Sequence, residues 1–150
     1  MIIEHDRNSS LISGWLSLTD AYGRISNELE ARLQQEHDLS LKEFYVLLFL
    51  HESPDKKLRL QQLQSMVGLS QSAMSRLVSR FEAKGCGALQ REICQDDRRN
   101  IYTSITGIGE SKLEKATITF HQQLESALDR EDVKESLARL FLAETKHTSQ

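Results

Sequence analysis

With 150 residues, 39% of them hydrophobic and 27% charged, the chain has the size and apolar content of one packed domain and not of a disordered segment. Its longest apolar run, Phe44 to Leu50, is far short of the ~18 residues that cross a bilayer, so no membrane partner is expected. A formal charge of −3 argues at first sight against a nucleic-acid partner, but net charge averages over faces that do different work.

Two cysteines, and an N-terminus (MIIEHDRNSS) without a basic-then-apolar leader, predict a reducing, cytoplasmic setting and not a disulfide scaffold. One proline and seven glycines predict long helices with few breaks. Leu11, Trp15, Leu18, Tyr22, Ile25, Leu29 and Leu33 recur at three- and four-residue steps, the apolar stripe of a first long helix. Ser40 and Glu43 form a capping box for a second helix reaching about Glu52, apolar almost all round and therefore central. Ser53-Pro54-Asp55 stops it. A short third helix carries Leu60, Leu63, Met66 and Val67 and ends at Gly68. Ser70 caps a fourth, running to Lys84 and closed by Gly85. Then the period changes. Ala88 to Ile93 and Ile101 to Ile105 read as the strands of a hairpin whose tip is Cys94 to Asn100. Thr106 caps a fifth helix bearing Leu113, Ile118, Phe120, Leu124 and Leu128. Asp129 with Asp132 starts a sixth, bearing Val133, Leu137, Leu140 and Phe141.

The third and fourth helices, joined by Gly68-Leu69-Ser70, have the form of a helix-turn-helix. Met74, Leu77, Val78 and Phe81 make the fourth helix's buried stripe. Gln71, Ser72, Ser75, Arg76, Ser79 and Arg80 lie on its other side. Small hydroxyls let the backbone approach a major groove, amides and arginines reach base edges, and a helix N-terminus capped by Ser70 attracts phosphate. An ordinary solvated helix would carry Glu/Lys pairs at this spacing, yet residues 71–80 contain no acid. The hairpin tip adds Arg98 and Arg99, which can enter a minor groove. By itself such a tip would be read as a charged device against edge pairing. Residues 56–105 hold nine Lys/Arg and four Asp/Glu, a local +5, which leaves −8 for the rest of the chain. A basic module is set in an acidic body, as phosphate binding by one face requires.

The run LQQLQSMVGLSQSAMSRLVSRFEAKG (60–85), followed by DRRNIYTSITGIG (97–109), resembles the MarR family of winged-helix regulators. Asp97-Arg98-Arg99 matches the family's wing signature, and Ile105-Thr106-Gly107-Ile108-Gly109 its helix start, with isoleucine for leucine. Cys86-Gly87, between Lys84-Gly85 and the first strand, looks like a two-residue insertion at the base of the wing. The resemblance implies a mainly α, winged helix-turn-helix fold in a single domain over 1–150. Long helices over 11–36 and 106–145 would form the dimer, and residues 56–105 the DNA-binding module with one β-hairpin wing. It implies a homodimeric regulator, a repressor, bound to double-stranded DNA at a pseudo-palindrome and released by a small-molecule or stress signal. Ser70, Gln71, Ser72, Ser75, Arg76, Arg80, Arg98 and Arg99 would contact DNA, with Arg99 in the minor groove and Asp97 bracing the wing. A pocket for a small aromatic or amphipathic effector would involve Trp15, Tyr22 and His51, although Trp15 and Tyr22 read more readily as dimer core.

Cys86 and Cys94 are weighed as redox sites against two ordinary intracellular thiols, and Cys94 lies near Arg98 and Arg99, whose charge favours a thiolate. No metal site is expected. His121 is followed at i+4 by Glu125 and not by histidine, and His37 between Glu36 and Asp38 reads as a polar helix end. No cofactor is expected, and no enzyme: Gly107-Ile108-Gly109 lacks the third glycine of a nucleotide loop, since Lys112 stands there. The alternative class is a DNA-silent winged-helix dimer acting as a protein-interaction module.

Overall fold

A computed structural model describes the backbone of residues 2–82, 86–93 and 101–148, and the side chains of 9–82, 86–93 and 101–142. The chain forms two units, Met1–Arg32 with Phe120–Gln150, and Leu33–Thr119. Helices α1 (Ile2–His37) and α5 (Gly107–Leu128) contribute to both, and α6 (Glu131–Thr148) belongs to the first.

In the first unit the buried side of α1 is not quite the predicted stripe. Ala21 and Leu29 are buried, with Ala127 and Val133 opposite. Trp15 and Tyr22 stay 61% and 67% exposed, and Leu11 is exposed too. The reason is close packing through small residues. A Cβ on Gly14 would lie 3.2 Å from the Cα of Leu140, so α6 approaches α1 over glycine and alanine and the large side chains are turned outward. Ion pairs fix the register. Arg24 of α1 pairs with Asp132, and Arg130 at the start of α6 holds Glu28 at 2.5 Å, while Asp20, one turn before Arg24 on α1, orients its guanidinium at 2.9 Å. The start of α6 is later than the expected Asp129. Lys134 N donates to Arg130 O at 3.1 Å, which puts Arg130 at the cap position, while the Asp132 carboxylate is drawn to Arg24.

The second unit is built on α2 (Leu41–Glu52). Its capping box is formed as the sequence predicts: Ser40 Oγ accepts from Glu43 N at 3.1 Å, and the Glu43 carboxylate accepts from Ser40 N at 2.6 Å. Phe44, Val46, Leu47 and Leu50 are almost fully buried, each worth about 1.5–3 kcal/mol of transfer free energy. Leu33, Leu39, Leu63, Met74 and Val78 complete this core. After a turn at Pro54–Lys56 the chain forms a strand, β1 (Lys57–Arg59), then α3 (Leu60–Val67) and α4 (Gln71–Phe81). The hairpin is β2 (Leu89–Ile93) and β3 (Ile101–Ile105), paired antiparallel from Leu89↔Ile105 to Ile93↔Ile101. β1 pairs on the other edge of β3, giving the order β1-β3-β2. Three features differ from expectation. β1 has no counterpart among the elements the sequence predicts. β2 begins at Leu89, one residue after Ala88. And α4 ends at Phe81, before Lys84, because Glu82 is extended (φ −72°, ψ 178°) and its carbonyl receives the amide of Gly87 at 3.1 Å. Lys84 and Gly85 lie outside the described residues.

The Cys86-Gly87 step is part of the connection between α4 and β2. Gly87 adopts φ +75°, a left-handed conformation that suits glycine. Its carbonyl accepts from Thr106 Oγ1 at 2.6 Å, and Thr106 N donates to Ala88 O at 3.0 Å. Thr106 also caps α5, accepting from Gly109 N at 3.2 Å. One threonine thus joins the start of α5 to the base of the hairpin.

Candidate nucleic-acid interface

The helix-turn-helix is held from both sides. α3 ends at Gly68 in the left-handed region (φ 75°), and the Lys42 ammonium of α2 donates to the carbonyl of Val67 at 2.8 Å. This occupies one of the carbonyls that a helix C-terminus leaves unpaired. Ser70 (φ −69°, ψ 161°) then caps α4, its hydroxyl accepting from Ala73 N at 3.2 Å. Met74, Leu77, Val78 and Phe81 are buried, and Gln71, Ser72, Ser75, Arg76, Ser79 and Arg80 are exposed. The two faces fall where the spacing put them.

The exposed arginines are not equivalent. Arg76 reaches back along its own helix to the carbonyl of Ser72 at 3.4 Å. Arg80 turns away from the helix. Its Nη1 lies 3.2 Å from Glu43, and its Nη2 lies 3.3 Å from the Asp38 carboxylate and donates to the Asp38 carbonyl at 3.2 Å. Arg91 of β2 pairs with Glu82 and donates to Ser79 Oγ at 3.0 Å.

The outer face of the sheet carries a second group of cations. Arg59 and Lys57 lie over the ring of Tyr102, at 5.8 Å and 5.5 Å from its centroid, and Arg59 Nε donates to the Tyr102 hydroxyl at 3.2 Å. Cation–π attraction of this kind orders long side chains on an exposed surface. The tip of the hairpin, with Asp97, Arg98, Arg99 and Cys94, lies outside the described residues. Cys86 is an exposed free thiol.

The three pocket candidates fall in different places. Trp15 and Tyr22 are exposed in the first unit. His51 belongs to the second, where its Nδ1 lies 2.6 Å from Glu110, which also holds Lys56 at 2.8 Å. This cluster had no signal in the sequence, since its members are far apart in the chain. A hydrogen bond from Lys56, and after it the pairing with His51, keeps the Glu110 carboxyl below the usual carboxylate range against the opposing effect of burial. His37 bonds Thr119 Oγ1 at 2.7 Å, and His121 faces Glu125 at 3.7 Å. Among the described residues no group of three metal-ligating side chains is assembled, and no helix is long and apolar enough to cross a membrane.

Residues 37–99 match the model of the MarR family. No curated protein matches the chain in sequence. Among solved structures, the chain is similar to Sco3205, a MarR family transcriptional regulator from Streptomyces coelicolor in complex with DNA. The identity is 22% and the TM-score 0.70, covering 91% of this chain and 86% of that one. It is similar to AbsC, a MarR family transcriptional regulator from the same organism, at 23% identity and TM-score 0.69, covering 91% and 93%. A third is BpsR of Bordetella bronchiseptica, whose DNA binding is regulated by 6-hydroxynicotinic acid, at 19% identity and TM-score 0.65, covering 87% and 95%. The family match spans the helix-turn-helix and the first strand of the hairpin, and over most of the chain the fold is that of solved MarR family regulators, a winged helix-turn-helix with long flanking helices.

Proposed function

We propose that the chain is a homodimeric transcription regulator, a repressor that binds a pseudo-palindromic operator and leaves it when a small aromatic or amphipathic effector binds. The observation that carries the DNA reading is the exposed, acid-free face of α4, capped by Ser70 and set beside the hairpin. Ser70, Gln71, Ser72, Ser75 and Arg76 would meet the major groove, and Arg98 and Arg99 the minor groove. Sco3205, similar in fold and in complex with DNA, supports DNA binding, and BpsR supports control by a small ring acid. MarR family regulators are DNA-binding transcription factors and not enzymes.

The dimer reading is supported by apolar surface in the first unit. Leu11, Ile12, Trp15, Leu16 and Tyr22 of α1, with Phe141 and Leu142 of α6, are all exposed. A patch of this kind marks an association surface, and a two-fold dimer buries the same patch on both copies. Half-sites would then stand about 10 base pairs apart.

The test is fluorescence anisotropy with DNA from the protein's own promoter region, at several salt concentrations, beside analytical ultracentrifugation. A dimer with salt-dependent, sequence-preferring binding is expected. Arg76→Ala should weaken it by about 1–3 kcal/mol and relax base preference. Salt-sensitive binding at no such fragment would overturn the reading in favour of a protein-interaction module. A monomer at micromolar concentration would overturn the dimer.

A further inference from the structure

We propose that Arg80 and Arg91, exposed cations of the DNA-reading lobe, are positioning residues that set the angle of α4 and the hairpin, and do not contact DNA. This rests on the DNA reading above and assigns its charges differently from the sequence, which counts every arginine of the module toward phosphate.

The guanidinium of Arg80 spans the turn between α1 and α2, reaching Glu43 with one terminal nitrogen and the carboxylate and carbonyl oxygens of Asp38 with the other. A planar fork of donors fits such a divergent set, as a lysine ammonium does not. Two carboxylates beside one guanidinium cancel its field, and the exposed carboxylate of Asp38 would repel a phosphate brought to the same place. Glu43 is also constrained. Its side chain is only 6% exposed, and it already closes the α2 capping box on Ser40 N. Removing Arg80 would leave that carboxylate buried with its charge uncompensated. Asp38 itself has a left-handed backbone (φ 53°) at the end of α1. Arg80 therefore ties the last turn of α4 to a turn of defined shape.

Arg91 makes the second tie. It reaches from β2 to Glu82, just beyond α4, and to Ser79 on its exposed face. Both braces hold the C-terminal half of α4. Its N-terminal half, with Gln71, Ser72, Ser75 and Arg76, is left to project.

The test separates positioning from contact by salt dependence. Operator affinity is measured across a salt series for wild type, R76A, R80A, R80K, R91A and E43Q, with thermal melts of the same proteins and of an R80A/E43Q double variant. Loss of a phosphate contact flattens the slope of log K against log salt by about 0.9. A contact at Arg76 is expected to give that change. R80A, R91A and E43Q are expected to weaken binding by about tenfold with the wild-type slope retained. R80K, which keeps the charge but not the fork, should behave as R80A does, and the double variant should be no worse than R80A. If R80A flattens the slope while R80K and E43Q bind as wild type does, Arg80 is a phosphate contact and the proposal fails. The same flattening in R91A removes Arg91 from it. If wild type itself does not bind DNA, the functional reading has failed, and the melts alone decide the brace. Losses in R80A and E43Q that do not add support it, and losses that add overturn it.

Discussion

A methyl group added at Gly109 should unfasten the hairpin from α5. An ideal Cβ there would lie 2.3 Å from the carbonyl oxygen of Ala88, 3.2 Å from its carbon and 2.6 Å from Cγ1 of Ile105. The first two are backbone atoms and cannot rotate away, so α5 and β2 must separate by about 1 Å to restore van der Waals contact. That movement pulls on Thr106 N to Ala88 O (3.0 Å) and Thr106 Oγ1 to Gly87 O (2.6 Å). Overpacking of this kind costs about 1–3 kcal/mol. Each weakened hydrogen bond adds about 1 kcal/mol, and the helix propensity of alanine returns at most about 1 kcal/mol. Gly109→Ala should therefore lower stability by about 2–4 kcal/mol. Gly107, two residues earlier, meets nothing within 4 Å, so Gly107→Ala should lie within about 1 kcal/mol of wild type, on the stabilising side. Urea unfolding of the three proteins measures both differences. A Gly109→Ala variant that unfolds with wild type, or equal destabilisation of the two variants, would refute the clash.

The capping box gives a smaller effect. Ser40→Ala removes the acceptor for Glu43 N and should cost about 1 kcal/mol in the same experiment; no change would mean that water replaces the cap at no cost. Glu110 gives a dependence on pH. Its carboxyl is held low by Lys56 and, next, by His51. A depressed acid stabilises the folded state fully above its unfolded-state value and loses that contribution as pH falls through the folded-state one. The stability difference between wild type and Glu110→Gln should thus shrink as pH falls below about 4.3; a difference that does not change across that acid range refutes the pairing. Trp15→Glu places a charge in the exposed apolar patch of α1 and should shift the sedimenting species from dimer to monomer without lowering the helical signal. An unchanged dimer would move the interface elsewhere.

Local signals were legible and long-range pairings were not. Ser40 with Glu43, Gly68 and Ser70 act through neighbours three or four residues away, so their roles can be read from a single window. The stripe of α4 was legible for the same reason: its four apolar residues and its exposed polar face follow from one period. β1 has three residues, too few to show a period, and exists because β3 offers it an edge. The stripe of α1 misled in part because apolar residues outnumber the places the first unit can bury. Which of Gly14, Trp15, Ala21 and Tyr22 face α6 depends on how closely the helices approach, and that is decided by α6. At the site, type and exposure were legible for Arg80, but not the carboxylates it would meet. Asp38 and Glu43 are 42 and 37 residues earlier in the chain.

The same point changes the charge argument that first suggested DNA. Nine cations against four acids over residues 56–105 gave +5. The fold adds three acids from outside that window, each on a cation inside it: Asp38 and Glu43 on Arg80, and Glu110 on Lys56. With Lys57 near Glu92 at 3.9 Å and Arg91 on Glu82, four of the window's nine cations have carboxylate partners among the described residues. From that window at most five per subunit then remain for phosphate. Each contact contributes about 0.9 to the slope of log K against log salt, so a dimer should show a slope no steeper than about −9. Counting all nine would allow about −16. A slope measured between 50 and 200 mM salt distinguishes the two. A value clearly steeper than −9 would mean that the paired arginines and lysines leave their carboxylates on binding. The lobe would then reorganise on DNA, and the braces at Arg80 and Arg91 would describe only the free protein.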